Sequence, residues 1–150
     1  MYDLRELYQE VVMDHNRRPR NSKKLEDPDR QAEGFNPLCG DQLTLYLALE
    51  DDLITDVAAE ARGCAISTAS ASMMTESIKG KSIEEAKKIF ETFRGMVTRA
   101  RGEEFDADSL GDLEVLAGVS EYPARIKCAT LSWHTLQSAL LDNQEVASTE

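Results

Sequence analysis

Cysteine is scarce in this chain: there are three in 150 residues, and no two form a CxxC pair. The two histidines form no HxxxH pair, so the close ligand spacings of zinc fingers and ribbons are absent. An odd, scattered thiol count also argues against a disulfide framework and suits a reducing compartment. No apolar run approaches the roughly 18 residues that a membrane span needs, and the start Met1-Tyr2-Asp3-Leu4-Arg5-Glu6 lacks a secretory pattern. Positive charge is short as well. Seventeen Lys and Arg stand against 28 Asp and Glu, a formal net charge of -11, whereas phosphate binding needs a net or clustered positive surface. These absences predict a cytoplasmic chain with no nucleic-acid or membrane partner.

What is present fits one domain over residues 1–150, long enough for a sizeable core, with 41% hydrophobic and 30% charged residues. Leu4, Leu7, Tyr8, Val11 and Val12 recur at helical spacing, which predicts an amphipathic helix from Leu4 to Met13, stopped by Pro19. His15 reads as a residue that caps or packs near the helix end, where a cationic imidazole suits the dipole; metal ligation is the alternative. Arg17, Arg18, Arg20, Lys23 and Lys24 form a basic patch, either a solvated loop or an electrostatic handle for an acidic partner.

Gln31 to Phe35 reads as a short edge strand. Leu43, Leu45, Leu47 and Leu49 then alternate with Gln42, Thr44, Tyr46 and Ala48, the period of a half-buried strand. Glu50-Asp51-Asp52 turns the chain and Ile54 to Arg62 returns as its antiparallel neighbour. Small residues from Ala65 to Ser77 predict a buried central helix ended by Gly80. Gly80-Lys81-Ser82 is not a phosphate loop, because Thr75 stands where that motif needs glycine. Ser82 and Glu85 make a capping box that opens a helix through about Val97, with Ile83, Ala86, Ile89, Phe90 and Phe93 inward.

Arg99 to Val119 is the least regular part. It holds an acidic loop, Gly102 to Asp108, whose spacing fails the calcium-loop pattern, and a short helix at Leu113, Val115 and Leu116 closed by Gly118. Pro123 opens the last helix, with Ile126, Ala129, Thr130, Trp133, Leu136 and Leu140 inward. Asp142 to Glu150 reads as a disordered polar tail.

The three thiols are the candidate chemistry. Far apart in sequence, free cysteines are by default core filling. Their context argues otherwise. Cys39 lies in the Pro- and Gly-bracketed loop Asn36-Pro37-Leu38-Cys39-Gly40-Asp41, and Cys64 follows Gly63 at a helix start, where backbone N–H groups favour a thiolate. The predicted hairpin brings Cys39 and Cys64 to the same end of the sheet. Cys39, Asp41, Cys64 and Cys128 together offer zinc a fourfold set of three sulfurs and one carboxylate. Arg125 and Cys128, at i and i+3, share a helix face, so Arg125 is a candidate for holding Cys128 as thiolate or steering an anionic group.

Asp14-His15 followed by Pro19-Arg20-Asn21, the Cys39-Gly40-Asp41 loop, Gly63-Cys64 leading into Ile66-Ser67 and Ser70-Ala71-Ser72, and Gly80-Lys81-Ser82 resemble, in order, the motifs of the IscU-like iron-sulfur assembly proteins. Within them the chain is similar to the zinc-dependent SufU-type sulfur-transfer proteins. Scaffold-type members carry a histidine directly before the third cysteine, where this chain has Lys127, and the Arg99 to Val119 region looks like the SufU-type insertion.

The resemblance implies an α+β fold, with a small antiparallel sheet of about three strands against several helices, and Cys39, Asp41, Cys64 and Cys128 as ligands of Zn2+. It further implies sulfur acceptance from a cysteine desulfurase of the SufS type, a pyridoxal phosphate enzyme that this chain would also activate. Cys39, in the most exposed loop, is the expected acceptor, Arg125 a candidate to steer the persulfide, and a downstream iron-sulfur assembly scaffold the onward partner. Two alternatives stand beside this: an iron-sulfur cluster scaffold using the same ligands, and a purely structural zinc site.

Overall fold

The computed structural model describes residues 4–100, 103, 110–141 and 147–148, and side chains from 9 to 141 among them. The side chains of Leu4, Leu7 and Tyr8, the acidic loop apart from Glu103, and tail positions 142–146 and 149–150 lie outside the described residues. Helix α1 spans Leu4–Arg17, strands β1, β2 and β3 span Arg30–Asn36, Asp41–Glu50 and Leu53–Arg62, and helices α2 and α3 span Ala65–Ile78 and Ile83–Thr98. A 3-10 segment, Gly111–Glu121, leads into helix α4, Pro123–Leu140, and a two-residue strand β4 follows at Ala147–Ser148.

The sheet order is β3-β2-β1-β4, antiparallel except that β4 runs parallel to β1. The expected three-stranded antiparallel sheet is therefore present, with β4 added beside Gly34 and Phe35 of β1. Leu43, Leu45 and Leu47 point into the core as their alternation predicts, and Leu49 is only half-buried, after a bulge at Ala48/Leu49. Asp51 takes the left-handed conformation, φ 55°, in the two-residue turn between β2 and β3, a position that Asp tolerates better than most residues.

Helix α2 is the centre of the helical layer, packed on α1, α4 and β3. Its small residues allow close approach: Ser70 Oγ donates to the Ala129 carbonyl of α4 at 2.6 Å. Helix α3 starts at the predicted capping box, Ser82 accepting from the Glu85 N–H and Glu85 from the Ser82 N–H. Its Phe90 and Phe93 stack on Trp133 of α4, with Phe93 and Trp133 centroids 5.0 Å apart. Gly80-Lys81-Ser82 serves the backbone: Gly80 N–H donates to the Ile54 carbonyl and Ile54 N–H to the Lys81 carbonyl, both at 2.8 Å, stitching the α2–α3 turn to the start of β3.

Two expectations are corrected. The helix predicted to close at Gly118 is a 3-10 segment that runs through Gly118 to Glu121, burying Leu113, Val115, Leu116 and Val119. His15 packs as expected but for a different reason. It is 3% exposed, its Nδ1 lies 2.7 Å from Ser72 Oγ, and burial lowers its pKa, so a neutral ring fills the site and the dipole argument for a cation does not hold.

Of the basic patch, Arg20 is tied to Asp14 at 2.6 Å, while Arg17, Arg18, Lys23 and Lys24 are exposed. No helix among the described residues is long and apolar enough to cross a membrane.

Candidate metal centre

The site forms where the sheet ends. Asn36 closes β1 and pairs with Asp41, which opens β2, so residues 37–40 make a tight loop with Cys39 near its tip. Gly40, φ 72°, lets that loop turn, and its N–H donates back to the Asn36 carbonyl at 2.9 Å. On the other side Gln42 pairs with Arg62, which carries the chain through Gly63 to Cys64 beside Asp41. Helix α4 packs on β1 and β2 and brings Cys128 to the same corner.

Asp41 is fully buried and held from two sides. Cys64 N–H donates to its Oδ1 at 2.8 Å, and Asn36 Nδ2 to its Oδ2 at 2.9 Å. Gly63, φ 142°, is required here, because a Cβ at that position would overlap Asp41 Oδ1. Asn36 is also fully buried, and its amide reaches Cys128 Sγ at 3.6 Å.

Ligand atoms of Cys39, Asp41 and Cys128 all lie within 4.8 Å of one another. The Sγ atoms of Cys39 and Cys128 are 3.4 Å apart, close to the ~3.8 Å between two thiolates on a tetrahedral zinc. Cys64 stands at the rim of this triad. Its Sγ is 4.0 Å from Asp41 Oδ2 and accepts from the Ser67 N–H at 3.5 Å as the N-cap of α2. All four sequence-predicted ligands therefore meet at one end of the sheet.

Exposure divides the thiols: Cys39 is exposed, Cys64 intermediate and Cys128 buried. Burial, with hydrogen bonds that the Cys128 thiol donates to the Cys39 and Cys64 sulfurs, pushes it above its usual range. Any help from Arg125 in holding Cys128 as thiolate is thus opposed by desolvation, and a bound cation would favour the ionised form. Arg125 itself is exposed, and negative charge on the Cys64 and Cys128 sulfurs, with a hydrogen bond to Cys128, strengthens its hold on its proton.

The donor set suits a borderline-soft divalent ion. Three sulfurs and one carboxylate around zinc would carry net charge -2, and their chemistry is to keep thiolates anionic at neutral pH.

A family model described as NifU-like N terminal domain matches residues 7–129. The chain belongs to that family. Among NifU-like relatives it is 47% identical, over 92% of both chains, to the zinc-dependent sulfurtransferase SufU of Bacillus subtilis. It is 44% identical to the iron-sulfur cluster assembly scaffold protein IscU of Streptococcus pyogenes, over 91% of this chain and 84% of that one. A crystal structure from Fervidobacterium islandicum, described as a candidate SUF-system scaffold, superposes with a TM-score of 0.82 at 39% identity, covering 90% of this chain and 97% of that chain.

Asn36 is the contributor that sequence reading left without a role. Its signal was its place opposite Asp41 across a four-residue loop, legible only once β1 is extended to residue 36. The contact of His15 with Ser72, and of Asn21 Nδ2 with Thr75 Oγ1 at 3.0 Å, was likewise missed; these tie the end of α1 and the segment after it to α2, the helix that Cys64 caps.

Proposed function

We propose that this chain is a zinc-dependent sulfur acceptor in the cytoplasm, taking persulfide sulfur from a cysteine desulfurase of the SufS type and relaying it toward iron-sulfur cluster assembly. The observation that carries this reading is the unequal exposure of one ligand set. Asp41 and Cys128 are buried and fixed, while Cys39 projects on a turn where a partner's persulfide can reach it. Zinc held by Cys39, Asp41, Cys64 and Cys128 would supply charge that keeps the sulfurs anionic.

The chain's own part in the transfer follows. Cys39 Sγ attacks the outer sulfur of the desulfurase persulfide, the S–S bond breaks, and the electron pair leaves with the enzyme's thiolate. Arg125, against the sulfur cluster, offers positive charge to the incoming anion. The SufU relative supports the zinc and transfer reading by its name.

The test is desulfurase turnover with and without this protein, on material of known metal content. Acceleration by the zinc-loaded protein, with a persulfide on it afterwards, and neither with Cys39→Ala, is the expected result. A second reading, a cluster scaffold, is favoured by the IscU relatives' names. A stable, transferable cluster after anaerobic reconstitution with iron and sulfide, and no effect on turnover, would replace the acceptor reading with it.

A further inference from the structure

One pair in the centre does more than share a ligand set. Cys39 and Cys128 sulfurs lie 3.4 Å apart, the first on an exposed turn and the second fixed in a buried helix turn, where its Sγ also meets the Ala124 carbonyl at 3.6 Å. Cys64, the other candidate, is engaged at the first turn of α2 through the Ser67 N–H. A thiol held at this distance is an intramolecular nucleophile toward whatever sulfur Cys39 carries.

We infer that Cys128 is the resolving thiol of this site: once Cys39 carries a persulfide, Cys128 Sγ attacks Cys39 Sγ and releases the terminal sulfur as sulfide. This rests on the reading of Cys39 as acceptor. The bond formed is Cys39–Cys128 Sγ–Sγ and the bond broken joins Cys39 Sγ to the terminal sulfur. That sulfur takes the electron pair and the Cys128 proton and leaves as hydrogen sulfide. Cys128 sulfur is oxidised to the disulfide level, the terminal sulfur is reduced to sulfide, and Cys39 Sγ keeps its oxidation state. Two thiols of a solution reductant reset the pair by exchange.

Attack on the inner sulfur is favoured because the inner sulfur is the atom already 3.4 Å away. The Cys39 turn has open space around it: Leu38 and Gly40 beside Cys39 are exposed, and nothing lies within 4 Å of where a Gly40 Cβ would sit. The acceptor can thus deliver sulfur in two forms. A partner that reaches the turn receives sulfane sulfur; with none present, the same site yields sulfide.

The test loads the full chain with inorganic polysulfide, as isolated and after chelation, removes the excess in thiol-free buffer, and follows non-reduced intact mass and free sulfide. Wild type should release sulfide while losing two hydrogens from the unmodified mass, with a disulfide mapping to the Cys39 and Cys128 peptides. Cys128→Ser, and Cys128→Ala as a second variant with its fold checked by circular dichroism, should keep one added sulfur on Cys39 and release sulfide on the order of tenfold more slowly or less.

A wild-type Cys39 persulfide that persists in both preparations, a disulfide mapping to Cys64, or a sulfane sulfur that moves intact to Cys128 overturns the inference alone. An added sulfur that never appears on Cys39 in any variant overturns the acceptor reading and this with it.

Discussion

Replacing Gly63 by Ala tests whether the centre is built on backbone shape. Gly63 sits at φ 142°, a conformation L side chains rarely adopt, and its added Cβ would overlap Asp41 Oδ1. The conformation costs roughly 1–3 kcal/mol for a non-glycine residue. Displacing the Asp41 carboxylate also breaks its 2.8 Å bond from the Cys64 N–H, a hydrogen bond to a charged group worth about 1.5–3 kcal/mol. Together these give about 2.5–6 kcal/mol, or a Tm fall of roughly 5–24 °C for a domain of this size.

The measurement is a urea transition on chelator-treated protein, where metal affinity does not enter, with the midpoint read at unchanged slope. Gly95→Ala is the contrast: Gly95 is exposed within α3 with no atom within 4 Å of a Cβ, so alanine there should stabilise by about 0.5–1 kcal/mol. If Gly63→Ala unfolds at the wild-type midpoint, or the two variants shift alike, the close fit of backbone and carboxylate is not what holds this corner.

Asn36→Ala removes the donor to Asp41 Oδ2 and Cys128; zinc affinity measured against a chromophoric chelator should fall about 10–100-fold, and an unchanged affinity would remove Asn36 from the centre. Burial lowers the pKa of His15 and His134 below the 6.5 of a free imidazole. The unfolded chain therefore takes up these protons first as pH falls, so stability present above pH 6.5 is lost below it; Tm should drop between about pH 7 and 5.5, and His15→Gln should flatten that slope. Ser82→Ala breaks the capping box and should cost about 1 kcal/mol, seen as a Tm lower by ~2–4 °C with metal binding untouched.

Much of this fold was legible because its signals are local. The alternating leucines from Leu43, the Ser82 and Glu85 cap and Pro123 at a first helical turn each state their conformation within a few residues. The hairpin then made Cys39 and Cys64 neighbours without further information. What escaped depends on distant partners. Residues Gly111–Glu121 carry apolar side chains at a spacing that suits either an α-helix or a 3-10 helix, and contact with α3 and α4 accompanies the choice of the second. The neutral state of His15 is set by burial against α2, which its own neighbours in sequence do not encode. Asn36 takes its meaning from a carboxylate across a loop and a thiol on another helix.

Trp133 is the chain's single tryptophan, fully buried against the rings of Phe90 and Phe93 and on the same helix as Cys128. Its emission therefore needs no label to report on α4. A change at Cys128 that shifts or rotates this helix alters the stacking and with it the fluorescence, whereas an event confined to the exposed Cys39 turn leaves the spectrum alone. The molecule carries its own optical gauge for telling events at the buried thiol from events at the exposed one.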